Sequence, residues 1–157
     1  MMESVKKTSQ KQIPELFVQK CVRRHLLKSG FGIDLAHTEL HEHGVDIKVK
    51  HQNYGRYYLV EAKGDPTPQV KSPEGWRSSA MNSALGQIIT RMHTKRKHGK
   101  YGYNYGIAFP SSFKKRVLGK IPYYVCKALR LNIFLVSRNG KVDEYTNRQL
   151  KTIQHHG

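Results

Sequence analysis

Acidic side chains are scarce in this chain: 11 Asp and Glu stand against 28 Lys and Arg, leaving a formal net charge of +17 and an isoelectric point near 10.0. The imbalance points to a polyanionic partner, because each phosphate neutralised by Lys or Arg releases condensed counterions. A solvated basic surface or a ribosome-associated structural role accounts for the same charge, so charge alone assigns no chemistry. Long apolar runs are also missing. No stretch approaches the roughly 20 residues that span a bilayer, and residues 1–12 lack the apolar segment of a signal peptide. The expectation is a cytoplasmic, nucleoid-associated protein (in the host cytoplasm, if phage-encoded) with no membrane partner. Cysteine is nearly absent. Cys21 and Cys126 are far apart and each falls in an apolar helical pattern, so neither a disulfide nor a thiolate metal site is assigned. There is no internal repeat or low-complexity tract, and 38% hydrophobic with 25% charged residues is a globular balance.

What is present divides by periodicity. Residues 13–28 have helical spacing, with Lys20, Arg23, Arg24 and Lys28 on one face and Phe17, Val18, Cys21, Val22 and Leu26 opposite, until Gly30 stops the helix. Period two then predicts strands over 33–41, 45–50 and 56–63, the last two joined as an antiparallel hairpin through Asn53-Tyr54-Gly55. Residues 65–76, with Pro66, Pro68 and Pro73, read as a loop. A second helix is predicted from about 77 to 97 on Met81, Ala84, Leu85, Ile88, Ile89 and Met92. A buried strand at 105–109 closed by Pro110, a helix broken at Pro122, and a strand at 132–137 with Asn139-Gly140 as a hairpin turn complete the pattern. The order implies an α/β fold, a mixed central β-sheet flanked by α-helices, with one domain at 13–147 between tails at 1–12 and 148–157.

The chemistry concentrates in Gly44-Val45-Asp46-Ile47 and Leu59-Val60-Glu61-Ala62-Lys63-Gly64. Strand alternation puts Glu61 and Lys63 on one face, and hairpin pairing brings Asp46 against their strand. Two carboxylates flanking a carbonyl, here that of Ala62, form a hard-oxygen site for Mg²⁺ (or Mn²⁺), which takes phosphate oxygens as further ligands. Lys63 is placed to act on the attacking water and the phosphate. Phosphodiester hydrolysis needs this combination, since a metal neutralises the transition state and positioned cations hold the phosphate in line. The bland alternative makes Asp46 a turn residue and Glu61 with Lys63 a surface ion pair, worth under about 1 kcal/mol.

The arrangement resembles the PD-(D/E)XK nuclease superfamily, the restriction-endonuclease-like fold, over residues 13–145. The resemblance implies an αβββαβ core, Mg²⁺ or Mn²⁺ dependence and a DNA substrate, with Asp46 and Glu61 as metal ligands, the Ala62 carbonyl as a third and Lys63 as the catalytic cation. The first motif here is Gly44-Val45-Asp46, without the proline of the family name. The resemblance also implies a first-helix glutamate near the metal, matched by Glu15, with Glu39 and Glu42 as competitors. It implies a glutamine on the helix after the Glu-x-Lys strand, matched by Gln87, which follows Ala80 and Ala84 along one helix edge.

His37, His41 and His43 lack equally convincing further zinc ligands and no zinc is assigned. Arg91, Lys95, Arg96, Lys97, Lys100, Lys114 and Lys115 are the candidate DNA-backbone contacts, with Tyr101 and Tyr103 among them for stacking. The expected function is a metal-dependent endonuclease on DNA, structure-selective or directed by a partner, acting as a homodimer or within a larger nucleic-acid-processing complex. A non-catalytic nucleic-acid-binding module on the same fold is the alternative, although such a binder has no use for carboxylates that repel phosphate.

Overall fold

The computed structural model describes residues 12–35, 45–92 and 102–156. The chain runs α1 (Glu15–Lys28), β1 (Ile33–Asp34), β2 (Ile47–Lys50), β3 (Arg56–Ala62), α2 (Pro73–Arg91) and β4 (Gly102–Pro110). A 3₁₀ turn at Ser111–Phe113 leads into α3 (Lys114–Lys120), then α4 (Tyr123–Leu129), β5 (Leu131–Val136), β6 (Val142–Tyr145) and α5 (Asn147–His155). The six strands lie in sequence order in one sheet. Neighbours pair antiparallel from β1 to β3, parallel from β3 to β5, and antiparallel again from β5 to β6. This is the mixed α/β architecture expected, and its first six elements follow the αβββαβ order.

Alternation along the central strands splits the core into two layers. Val60 and Ala62 of β3, with Ala108 of β4 and Phe134 and Val136 of β5, pack under the Val18, Cys21, Val22 and Leu26 stripe of α1. Leu59, Ile107, Phe109, Leu131, Ile133 and Leu135 point the other way, onto Ala80, Ala84 and Ile88 of α2 and onto Val117, Leu118 and Leu150 of α3 and α5. Both cysteines are free and buried. Among the described residues no helix is long and apolar enough to cross a membrane.

Several boundaries differ from expectation, β4 for one beginning at Gly102 rather than at 105. The proline-rich segment ends earlier than 76, because Ser72 caps α2 by accepting from the Gly75 N–H and Pro73 occupies the first turn, where its missing donor is harmless. The described part of the helix ends at Arg91. Residues 148–157, expected as a tail, instead belong largely to α5, whose Thr146 and Gln149 form a reciprocal capping box. Leu150 is fully buried, and the Gln154 amide donates to the carbonyls of Leu118 and Ile121 while its oxygen accepts from the Tyr123 N–H. α5 therefore ties the end of α3 to the start of α4.

Candidate active site

The β2–β3 register pairs Ile47 with Val60, so Asp46, one residue outside the ladder, falls opposite Glu61. Its carboxylate turns into the strand plane and accepts from the Ala62 N–H at 2.8 Å. In extended backbone the N–H and C=O of one residue face the same neighbour, so the Ala62 carbonyl is on the Asp46 side as well. Lys63 N–H points the other way, to the Ala108 carbonyl of β4. Asp46 is held from a second direction, because Arg23 of α1 donates to its backbone carbonyl at 2.8 Å while also pairing with Asp34 at 3.5 Å.

Glu61 shares the sheet face of Leu59, toward α2, and is only 2% exposed. Burial and the adjacent Asp46 carboxylate, to which Glu61 also hydrogen-bonds, push its carboxyl up to about 8 against the pull of Arg91 and Lys63. Arg91 approaches Oε1 at 3.8 Å, an ion-pair distance beyond hydrogen-bond reach, and Oε1 has no hydrogen-bond partner. A buried carboxyl with an unmet acceptor beside a second carboxylate is a costly arrangement that a bound cation relieves. The residues present thus fit a divalent ion. Among the described residues no three His, Cys, Asp or Glu side chains stand together as a metal cage, so the protein side of such a site is two carboxylates and a carbonyl.

Glu15 belongs to the same electrostatic neighbourhood. Partial burial and then the Asp46 charge raise its carboxyl, and Lys63 lowers it. The approach is made possible by Gly64, where a Cβ would stand 2.5 Å from the Glu15 backbone nitrogen. Asp65 completes the clasp: its N–H donates to the Ile13 carbonyl and its carboxylate accepts from the Ile13 N–H, both at 2.8 Å. On the other side, Gln87 precedes Arg91 by one turn on the edge that begins with Ala80 and Ala84, and its buried Oε1 has no hydrogen-bond partner.

Asp46, Glu61, Ala62, Lys63 and Glu15 are therefore brought to one end of β3, with Gln87 on the helix edge that Arg91 carries to Glu61. Arg91, one of the candidate DNA-backbone contacts, also approaches Glu61. Lys114 and Lys115 lie exposed on α3. Lys95, Arg96, Lys97, Lys100, Glu39, Glu42, His37, His41 and His43 fall outside the described residues. Sequence reasoning missed Arg23 as a support of Asp46 and Arg91 as a neighbour of Glu61. The only signal for the latter was its four-residue spacing from Gln87.

Comparison with known proteins adds a likeness of structure alone. The chain is similar to the crystal structure of an XisH family protein from Nostoc punctiforme, at 15% identity and a TM-score of 0.46, over 81% of this chain and 96% of that one. No family model and no curated protein matches it.

Proposed function

We propose that the chain is a metal-dependent nuclease that hydrolyses phosphodiester bonds of DNA. The observation that carries this reading is the meeting of Asp46 with a nearly inaccessible Glu61, at a strand end that bears Lys63 and is approached by Glu15 of α1. A structural ion pair would neutralise these groups. Here Glu61 keeps its proton against the Asp46 carboxylate, and the Arg91 guanidinium stops short of hydrogen bonding to it.

Asp46, Glu61 and the Ala62 carbonyl would hold Mg²⁺ or Mn²⁺, with water and phosphate oxygens completing the shell. The ion would supply charge neutralisation at the phosphate and acidify a bound water. The remaining work falls to this chain's own groups. Arg23 and the Ala62 N–H fix Asp46 in one orientation, which limits the rearrangement needed on binding. Lys63 Nζ orients the attacking water and stabilises charge on the scissile phosphate. Gln87 offers an amide for the water or the substrate backbone, and Glu15 a further carboxylate for a ligand water. The DNA-backbone contacts would come from Arg91, Lys95, Arg96, Lys97, Lys100, Lys114 and Lys115, with a homodimer or a larger nucleic-acid-processing complex as the working assembly.

The test is incubation of the purified protein with linear, single-stranded, nicked and four-way-junction DNA, in Mg²⁺, Mn²⁺ or EDTA. Metal-dependent cutting of at least one form is expected. Asp46→Asn should abolish cutting while DNA binding persists or tightens, as repulsion between carboxylate and phosphate is relieved. Lys63→Ala should keep metal binding and lose turnover by orders of magnitude. A wild type that cuts nothing, or variants as active as wild type, would favour the non-catalytic binding module.

A further inference from the structure

A groove of about 900 Å³ lies away from Glu61, between α3, α4 and α5. Lys114, Lys115 and Lys120 line it, and no acidic residue does. The surrounding sequence is as one-sided: no Asp or Glu lies between Glu74 and Asp143, and none follows Glu144. Arg116 is taken up by Glu74, at 3.0 Å, whereas Lys114, Lys115 and Lys120 enter no ion pair among the described residues. A polyanion is the matching occupant. The groove is not purely basic, however. Tyr124, 63% exposed, and Ile153, 41% exposed, stand among the lysines.

Ser112 links the groove to the segment that follows the candidate active site. The carboxyl ends of parallel β3, β4 and β5 lie along one rim of the sheet. Lys63 follows β3 and Ser112 follows β4. The Ser112 hydroxyl donates to Asp65, two residues beyond Lys63, and Ser112 lines both this groove and a smaller one that holds Asp65 and Arg138.

We propose that this groove holds an unpaired strand continuing from the cleavage centre, so that the substrate is DNA with a single-stranded segment next to the scissile bond. The proposal rests on the nuclease reading for its substrate. An intact duplex hides its base faces and would present sugar, phosphate and base edges, but no stacking face, to Tyr124 and Ile153. Unpaired bases can stack on the exposed ring while their phosphates follow the lysines, and such stacking tolerates any sequence. The Lys114, Lys115 and Lys120 charges thereby acquire one linear path rather than a diffuse field.

The experiment measures affinity of the full chain in EDTA for a blunt duplex and for the same duplex with a thymidine tail on either strand. A tail on one of the two strands should tighten binding. Tyr124→Ala should weaken the tailed complex by roughly tenfold and leave the blunt one nearly unchanged, and Tyr124→Trp should retain the tail preference. Replacing Lys114, Lys115 and Lys120 by Gln should reduce the log–log salt slope on the tailed duplex by about 0.7 for each phosphate no longer neutralised. Matching melting temperatures guard against misfolding. Equal affinity for tailed and blunt duplexes, or equal losses on both in the Tyr124 variants, overturns the proposal. So does a change in sedimentation without a change in tail binding, which would make the groove an interface between copies. Metal-dependent cutting without any tail preference defeats the groove and spares the nuclease. Tail binding by a wild type that never cuts does the reverse.

Discussion

Glu61 holds its proton past neutrality because it has left water beside another carboxylate. Its folded value near 8 lies above the ordinary 4.5, so between those values the folded state binds more protons than the unfolded one. The metal-free protein should therefore be most stable, with respect to this group, at the acid end of that interval and lose stability as pH rises through it. The loss should be of order a few kcal/mol. Glu15, also raised, acts in the same direction, while Glu144, held low chiefly by His25 despite its burial, loses its contribution on acidification instead. Melting temperatures across this range in EDTA should fall with pH for wild type and much less for Glu61→Gln, and Mn²⁺ should flatten the wild-type curve. A flat metal-free curve would contradict the carboxylate pairing. The residues behind this behaviour were legible in the sequence because they depend on local geometry: a hairpin register and the period of a strand place Asp46, Glu61 and Lys63. Arg23 and Arg91 were not legible as their neighbours, because each arrives on a helix docked from a different face of the sheet, and no short-range pattern encodes that docking.

The N-terminal end of α1 meets the end of β3 only because Gly64 has no side chain. Gly64→Ala should destabilise the fold by about 1–3 kcal/mol, the usual cost of overpacking, and should also depress metal-dependent cleavage by displacing Glu15. Thermal melts and cleavage rates check the two effects separately; wild-type behaviour in both would mean that α1 need not approach so closely. Most elements were legible because apolar spacing sets the burial of α1, β3, β4 and β5. The two failures came from weak apolar patterns with strong end signals. Ser72-Pro73-Glu74 is a helix start, since a capping hydroxyl, a proline in the first turn and an early acid each favour that end. Thr146 and Gln149 announce α5 in the same manner, although Leu150 is its one fully covered apolar residue.

For the whole molecule the charge of +17 sets how a polyanion would be met. Affinity for duplex DNA should fall steeply with salt, with a log–log slope of about −0.9 for each phosphate neutralised. An affinity nearly indifferent to salt would show that the basic surface is not the docking face. The layered core has a further consequence, in the order of synthesis. Part of the surface that covers Val18, Val22 and Leu26, namely Phe134 and Val136, belongs to β5 and emerges more than a hundred residues after them. Parallel pairing of β4 with β5 cannot precede that moment. Until β5 emerges, the nascent chain thus carries a strongly basic amphipathic helix that β2 and β3 can cover only in part, close to ribosomal RNA.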